Sequence, residues 1–211
     1  DFTKPAKADP YKILGAIRHF KVTNLFASPA LLRRLASLPK DINFPTLKRI
    51  LSAGAPVPAR DIANLANRLN SGIHLHTPYG ATESLPVATI SSAVILSETQ
   101  QFTSSGKGVC VGKPVEGIDV RIIKIDDAAI ENWSESLRVT QGEIGEMVVR
   151  GPVVTKHYFN RPVQTNLAKI LDADGQTLHR MGDLGYFDSE GRLWFCGRKS
   201  QRVLYANKLF H

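Results

Sequence analysis

Three helix-start signals, each set off by a short apolar run, constrain the first third of this chain more than any other feature. Asp9-Pro10 and Ser28-Pro29 place a capping side chain directly before a proline, and Pro58 opens a third stretch. A side-chain oxygen at the N-cap serves an orphan backbone N–H, and proline is pre-set for the first helical position. Leu14, Ile17 and Phe20 follow the first signal at helical spacing. The second opens a helix through Leu38, and Ile62, Leu65 and Leu69 share a face after the third. Residues 22–26, 47–52 and 73–76 are short strand candidates between them. Strands joined through helices pair in parallel, because only a long crossover returns the chain to the same edge. The alternation predicts a largely parallel α/β sheet over residues 1–100.

Beyond about residue 100 the pattern changes. Residues 109–111, 120–125, 146–150, 184–187 and 193–196 are short strand candidates punctuated by Gly, Pro and Asp. Only residues 162–170 look helical, and Glu190-Gly191-Arg192 fits a hairpin turn between the last two strands. Short strands with frequent turns predict an antiparallel sheet or small barrel over residues 101–199. The expected seam is the polar stretch 97–108.

Composition excludes several classes. With 43% hydrophobic residues in 211, the chain has the material for a sizeable core and is too apolar for disorder. No apolar run approaches the roughly 18–20 residues of a membrane helix, and Asp1-Phe2-Thr3-Lys4-Pro5 does not read as a signal peptide. Cys110 and Cys196 cannot build a disulfide framework, so a reducing, cytoplasmic setting is expected. The net charge of +8 is scattered without a long basic run, which favours a site for a small anion over a nucleic-acid surface.

Two strand candidates run into small-residue loops, Ser52-Ala53-Gly54-Ala55-Pro56 and Thr77-Pro78-Tyr79-Gly80-Ala81-Thr82-Glu83-Ser84. Ligands of open α/β sheets bind outside the carboxyl ends of the strands. The second loop carries what a magnesium nucleotide needs. Tyr79 offers a flat ring, Gly80 a close backbone approach, Thr82 a hydroxyl for phosphate and Glu83 a hard oxygen for Mg²⁺. Taken alone, the same spacing also fits a Tyr-Gly turn before a capped helix. Further on, Arg180-Met181-Gly182-Asp183 places a carboxylate beside a glycine at an expected strand start, able to accept both hydroxyls of a ribose, and Arg198 follows the last strand. Asp183 by itself equally fits an Asp turn. His74 and His76 lack an evident third metal ligand, and both cysteines read as structural.

The order of these pieces carries a resemblance. The Ser-Ala-Gly-Ala-Pro loop, Tyr79-Gly80-Ala81-Thr82-Glu83, the Gly142-Glu143-Ile144-Gly145-Glu146 strand entry, Met181-Gly182-Asp183-Leu184 and Gly197-Arg198-Lys199 occur as in the acyl-adenylate-forming superfamily, over about residues 10–203. Residues 76–87, 142–154 and 179–199 look most like bacterial β-lactone synthetases of olefin biosynthesis, often labelled fatty-acid–CoA ligases or peptide synthases. The resemblance implies that Gly54, Ala55 and Pro56 lie against adenine, Tyr79 stacks on it, and Thr82 meets the α-phosphate. It also implies that Glu83 holds Mg²⁺, while Asp183 with Arg198 binds the ribose. Thr82 and Glu83 are thus the expected catalytic residues, and ATP and Mg²⁺ the cofactors. CoA enters only in a ligase reading, and a non-catalytic nucleotide-binding module is the further alternative.

Ser200 falls at the superfamily's hinge, usually Asp or Lys, so residues 200–211 are expected to begin a mobile C-terminal domain. The family's lysine-ended phosphate loop and the C-terminal lysine have no counterpart, and residues 204–211 do not continue the hinge pattern. The expectation is the middle part of a longer enzyme, partnered by its own missing segments and a long-chain acyl substrate, and inactive by itself. The apolar segment 22–32 resembles the acyl-pocket lining, and equally reads as core.

Overall fold

A computed structural model describes residues 4–205 and 208–210, the backbone alone for 204, 205 and 208–210. Ala206, Asn207 and His211, in the segment that departs from the hinge pattern, lie outside the described residues. The chain divides into two compact units. One runs to Pro78 and includes Ile90–Gln101, and the other comprises Tyr79–Thr89 and the chain from Phe102 onward. Residues 79–89, grouped by their sequence with the first hundred, belong to the second unit.

In the first unit the capping signals act as expected. Helix α1 (Pro10–His19) starts where the Asp9 carboxylate accepts from the Tyr11 amide at 2.9 Å. Helix α2 (Pro29–Ala36) starts where Ser28 Oγ accepts from Leu31, and α3 (Ala59–Ala66) follows Pro58. Strands β1 (Asn24–Phe26), β2 (Arg49–Leu51) and β3 (Leu75–Ala81) pair in parallel, with Leu25 opposite Ile50 and Ile50 opposite Leu75. Ile17, Leu32, Leu35, Phe44, Leu47, Ile50, Ile62, Leu65 and Leu75 form the core. One buried cation sits beside it. Arg68 donates to the carbonyls of Ala36, Leu38, Pro39 and Ile42, at and beyond the end of α2, and to that of Asn64 in the last turn of α3.

The second unit begins within the β3 segment. The Tyr-Gly loop expected before Ser84 is instead strand: β3 reaches Ala81, Thr82 and Glu83 form a two-residue turn, and β4 (Ser84–Ser91) returns. No helix capped by Thr82 follows, because the chain goes directly into β4. Gly80 permits the tight fold-back, since a Cβ there would stand 2.5 Å from the Ser84 carbonyl oxygen. A short helical stretch follows β4, made of α4 (Ser92–Val94), a π-helical stretch (Ile95–Thr99) and α5 (Gln100–Ser104).

Strands β5 (Val109–Pro114), β6 (Asp119–Ile123), β7 (Gly145–Arg150), β8 (Lys169–Leu171), β9 (Thr177–Phe187) and β10 (Leu193–Arg198) then make an antiparallel sheet. Its order is β5-β10-β9-β7-β6, with β8 also on β9 and β4 on the far side of β5. Both faces are covered. Ile122, Met147 and Val149 enter one cluster, while Ile123, Val148, Ile170 and Leu178 enter another. That two-sided burial explains the adjacent apolar residues Ile122-Ile123 in β6 and Met147-Val148-Val149 in β7. The helix expected over 162–170 ends at Ala168 (α6, Pro162–Ala168), and β8 begins at once. Asp188 organises the last hairpin: its carboxylate accepts from the amides of Glu190 and Arg192, from Arg192 Nε and from the Trp194 indole.

Candidate functional site

Asp183 was expected at a strand start, yet it sits within the eleven-residue β9. The register slips between the β7 pairings of Arg180 and Leu184, and again on the β10 side between Phe195 and Gly197. Gly182, at φ +65°, supplies the left-handed residue of this irregularity. It also breaks the alternation, which is why the sequence reads as a strand beginning at residue 184. Bulges re-aim side chains, and Asp183 becomes a buried carboxylate, 5% exposed, beside Arg198 of β10.

Its two oxygens have separate donors. The Tyr79 hydroxyl donates to Oδ2 at 2.6 Å, and Arg198 Nη1 donates to Oδ1 at 2.7 Å. The structure therefore brings Tyr79, Asp183 and Arg198 together from β3, β9 and β10. The Tyr79 ring lies 6.2 Å from that of Phe195, and its oxygen is 3.2 Å from Met147 Sδ. Burial first, and then the charge and hydrogen bond of Asp183, push the Tyr79 phenol well above its ordinary value. The hydroxyl keeps its proton and remains a donor. Each carboxylate oxygen retains acceptor capacity beyond its one donor.

A second group surrounds the turn. Glu83 Oε1 accepts from the Tyr158 hydroxyl at 2.7 Å, and the Glu83 carbonyl accepts from the Thr155 amide at 2.9 Å. Burial raises the Glu83 carboxyl, but the Tyr158 hydroxyl, its own backbone and the charges of His179 and Lys169 together hold it below the ordinary value. It is anionic at neutral pH. Burial lowers Lys169 to about 8, against the pull of Glu83, while burial and Lys169 lower His179 to about 4. Thr82 is exposed at the tip of the turn.

Three motifs meet elsewhere in the same unit. Arg180 Nη2 donates to the buried Glu146 Oε2 at 2.6 Å, and Lys199 Nζ donates to that oxygen at 3.0 Å. Arg180 also donates to the carbonyls of Asp126, Ala128 and Leu167. The strand-entry glutamate and the basic residues of the other two motifs are thus one ion cluster. Ser200 is exposed in the 3-10 turn Lys199–Gln201, whose flank is held by a bidentate Arg202–Asp127 pair at 2.6 and 2.8 Å.

Gly54, Ala55 and Pro56 lie exposed on the loop after β2 in the first unit, and their role rests on the resemblance alone. Tyr158 and Lys169 were not singled out by their sequence, and Glu146, His179 and Arg180 were marked there only as members of motifs, with no role of their own. Glu83 and Tyr158 are 75 positions apart, and nothing in the sequence pairs them. Among the described residues three buried side-chain atoms lack a hydrogen-bond partner, and two of them, Ser52 Oγ and Ser84 Oγ, fall on the two loops the sequence marks. Orphaned buried hydroxyls of this kind ask for a ligand or water.

Among the described residues no group of three or more His, Cys, Asp or Glu could hold a metal unaided. The single carboxylate of Glu83 fits a Mg²⁺ that arrives on phosphates, since that ion is commonly held by one or two carboxylates plus substrate oxygens. No helix among the described residues is long and apolar enough to cross a membrane.

Comparison with known proteins follows the same lines. The chain is 51% identical over 207 residues to the olefin beta-lactone synthetase of Stenotrophomonas maltophilia (strain K279a), covering 96% of this chain and 37% of the relative. The olefin beta-lactone synthetase of Xanthomonas campestris pv. campestris is 50% identical over the same shares. The chain therefore spans little more than a third of the curated relatives it matches. The o-succinylbenzoate coenzyme A synthetase of Bacillus subtilis, solved with ATP and a magnesium ion, shares the fold with a TM-score of 0.72 at 24% identity, over 96% of this chain and 37% of that one. Residues 2–159 match the family described as AMP-binding enzyme, and this chain belongs to that family.

Proposed function

We propose that this chain is the nucleotide-holding part of an ATP-dependent, AMP-forming enzyme that activates a long-chain 3-hydroxy carboxylic acid and closes it to a β-lactone. The observation that carries this reading is the 51% identity to an olefin beta-lactone synthetase across 96% of the chain. In the proposed reaction the substrate carboxylate attacks the α-phosphorus of ATP, pyrophosphate leaves and an acyl-adenylate forms. The substrate's own 3-hydroxyl then attacks the activated carbonyl, losing its proton to solvent or a base, and AMP departs as the four-membered ring closes.

In this proposal the chain's residues act by binding and orientation. Asp183, held by Tyr79 and Arg198, accepts the two ribose hydroxyls. The Tyr79 ring packs against the adenine, and Thr82 at the turn tip donates to the α-phosphate. Glu83 offers its carboxylate to Mg²⁺ carried by the phosphates. That ion supplies charge neutralisation at the phosphate oxygens. Arg198, with its side chain 52% exposed, reaches either the sugar or a phosphate.

The test is incubation of the complete polypeptide carrying this chain with ATP, Mg²⁺ and a 2-alkyl-3-hydroxy acid. The proposal expects AMP, pyrophosphate and lactone with no thiol added. A strict requirement for CoA, with a thioester as product, overturns the lactone assignment and leaves a ligase.

A further inference from the structure

Lys169 is a cation that the proposed chemistry does not use, and its placement is unusual. The residue is 8% exposed and makes no ion pair among the described residues. Burying an ammonium is costly unless its donors are satisfied. Here Nζ donates to the Thr155 carbonyl at 2.6 Å and to Thr155 Oγ1 at 3.1 Å, and lies 5.6 Å from the centre of the Tyr158 ring. Thr155 and Tyr158 are the two residues that hold Glu83, one by its carbonyl at 2.9 Å and one by its carboxylate at 2.7 Å. Tyr158 is itself fixed from the other side, its amide donating to Thr165 Oγ1 of α6 at 3.0 Å.

We propose that Lys169, Thr155 and Tyr158 form a clamp that positions Glu83, with Lys169 acting through Thr155. The clamp rests on the reading of Glu83 as the residue that meets the nucleotide's cation. A glutamate in a two-residue turn has three side-chain torsions to fix, and the turn alone fixes none of them. Tyr158 selects the carboxylate's orientation, and Thr155 ties down the backbone from which it projects. Lys169 holds the 155–158 segment to the sheet. Because Lys169 lies opposite His179 in the β8–β9 pairing, and Asp183 follows four residues later on β9, one strand sets the spacing between the clamp and the ribose carboxylate. Partners that orient a metal-facing carboxylate typically govern metal affinity by about 10- to 100-fold.

Two measurements test the clamp in the complete polypeptide. Hydrogen exchange is read at the Thr155 amide without nucleotide or metal. The Mg²⁺ dependence of ATP–pyrophosphate exchange is read for Tyr158→Phe, Lys169→Met and Glu83→Gln, with Lys169→Arg as the conservative rescue. Lys169→Met is expected to speed exchange at Thr155. Tyr158→Phe and Lys169→Met are expected to raise the half-saturating Mg²⁺ about tenfold, by more than they lower kcat at saturating Mg²⁺. Lys169→Arg is expected to recover most of the loss. Unchanged Thr155 exchange in Lys169→Met overturns the clamp. So does an unaltered Mg²⁺ dependence in both variants while Glu83→Gln shifts it. If Glu83→Gln itself leaves the Mg²⁺ dependence unchanged, the metal reading of Glu83 fails separately, and Thr155 exchange alone decides the clamp.

Discussion

At the scale of single residues, function and stability compete for the same buried polar groups. His179 is 3% exposed and carries a pKa lowered to about 4 from 6.5 by burial first and then by Lys169. As the pH falls from about 6.5 to about 4, the unfolded chain takes up a proton on this imidazole and the folded chain does not. The stability tied to neutral His179 is complete above about 6.5 and lost on the way down, by about 3 kcal/mol in all. Urea midpoints measured across that window should fall with pH in the native chain and flatten in His179→Gln. An equal slope in both would contradict the assignment. For Asp183→Asn we expect AMP affinity to drop about tenfold or more, because the amide offers less to two ribose hydroxyls and meets two donors already in place. Calorimetric titration with AMP reads it directly. The candidate ligands Tyr79, Thr82, Glu83, Asp183 and Arg198 were legible as residue types in ordered motifs. Their partners were not, because Tyr158 and Lys169 act through contacts made only once distant strands pair.

Elements explain where the sequence misleads. Helix starts were readable because caps are local chemistry: Asp9 and Ser28 serve amides within three residues. Strand extents were not, because pairing is decided by neighbours far along the chain. β3 runs on through Tyr79 and Gly80, and β9 begins at Thr177, well before the residue at which its alternation becomes regular. The ion cluster was equally hidden. Glu146 and Arg180 belong to different motifs, and only the β7–β9 ladder sets them together at 2.6 Å. Their side chains are 1% and 2% exposed, so removing one partner leaves an uncompensated buried charge. Glu146→Gln should destabilise the second unit by about 3–5 kcal/mol. Thermal unfolding monitored by Trp194 fluorescence would show it. Gly80→Ala should also destabilise, by about 2 kcal/mol, since its Cβ would press on the Ser84 carbonyl and the Leu85 side chain. A native-like midpoint for that variant would show that the hairpin tolerates a shift.

For the whole molecule, the division of labour follows the two units. One is built around short parallel strands with helices, the other around a long antiparallel sheet, and each has its own apolar core. The change of sequence pattern near residue 100 announces two architectures. It misplaces residues 79–89, whose motif follows directly on a parallel strand yet packs with the antiparallel unit. The polar groups proposed to hold nucleotide are drawn from β3, the following turn, β9 and β10, all in the second unit. The central claim is that these segments are the nucleotide site, and hydrogen exchange of the complete polypeptide with and without AMP tests it most directly. The account predicts slowed exchange in residues 79–84 and 180–184, with none at the 3-10 turn Glu135–Leu137. Saturating AMP with no slowing in those two segments would contradict it.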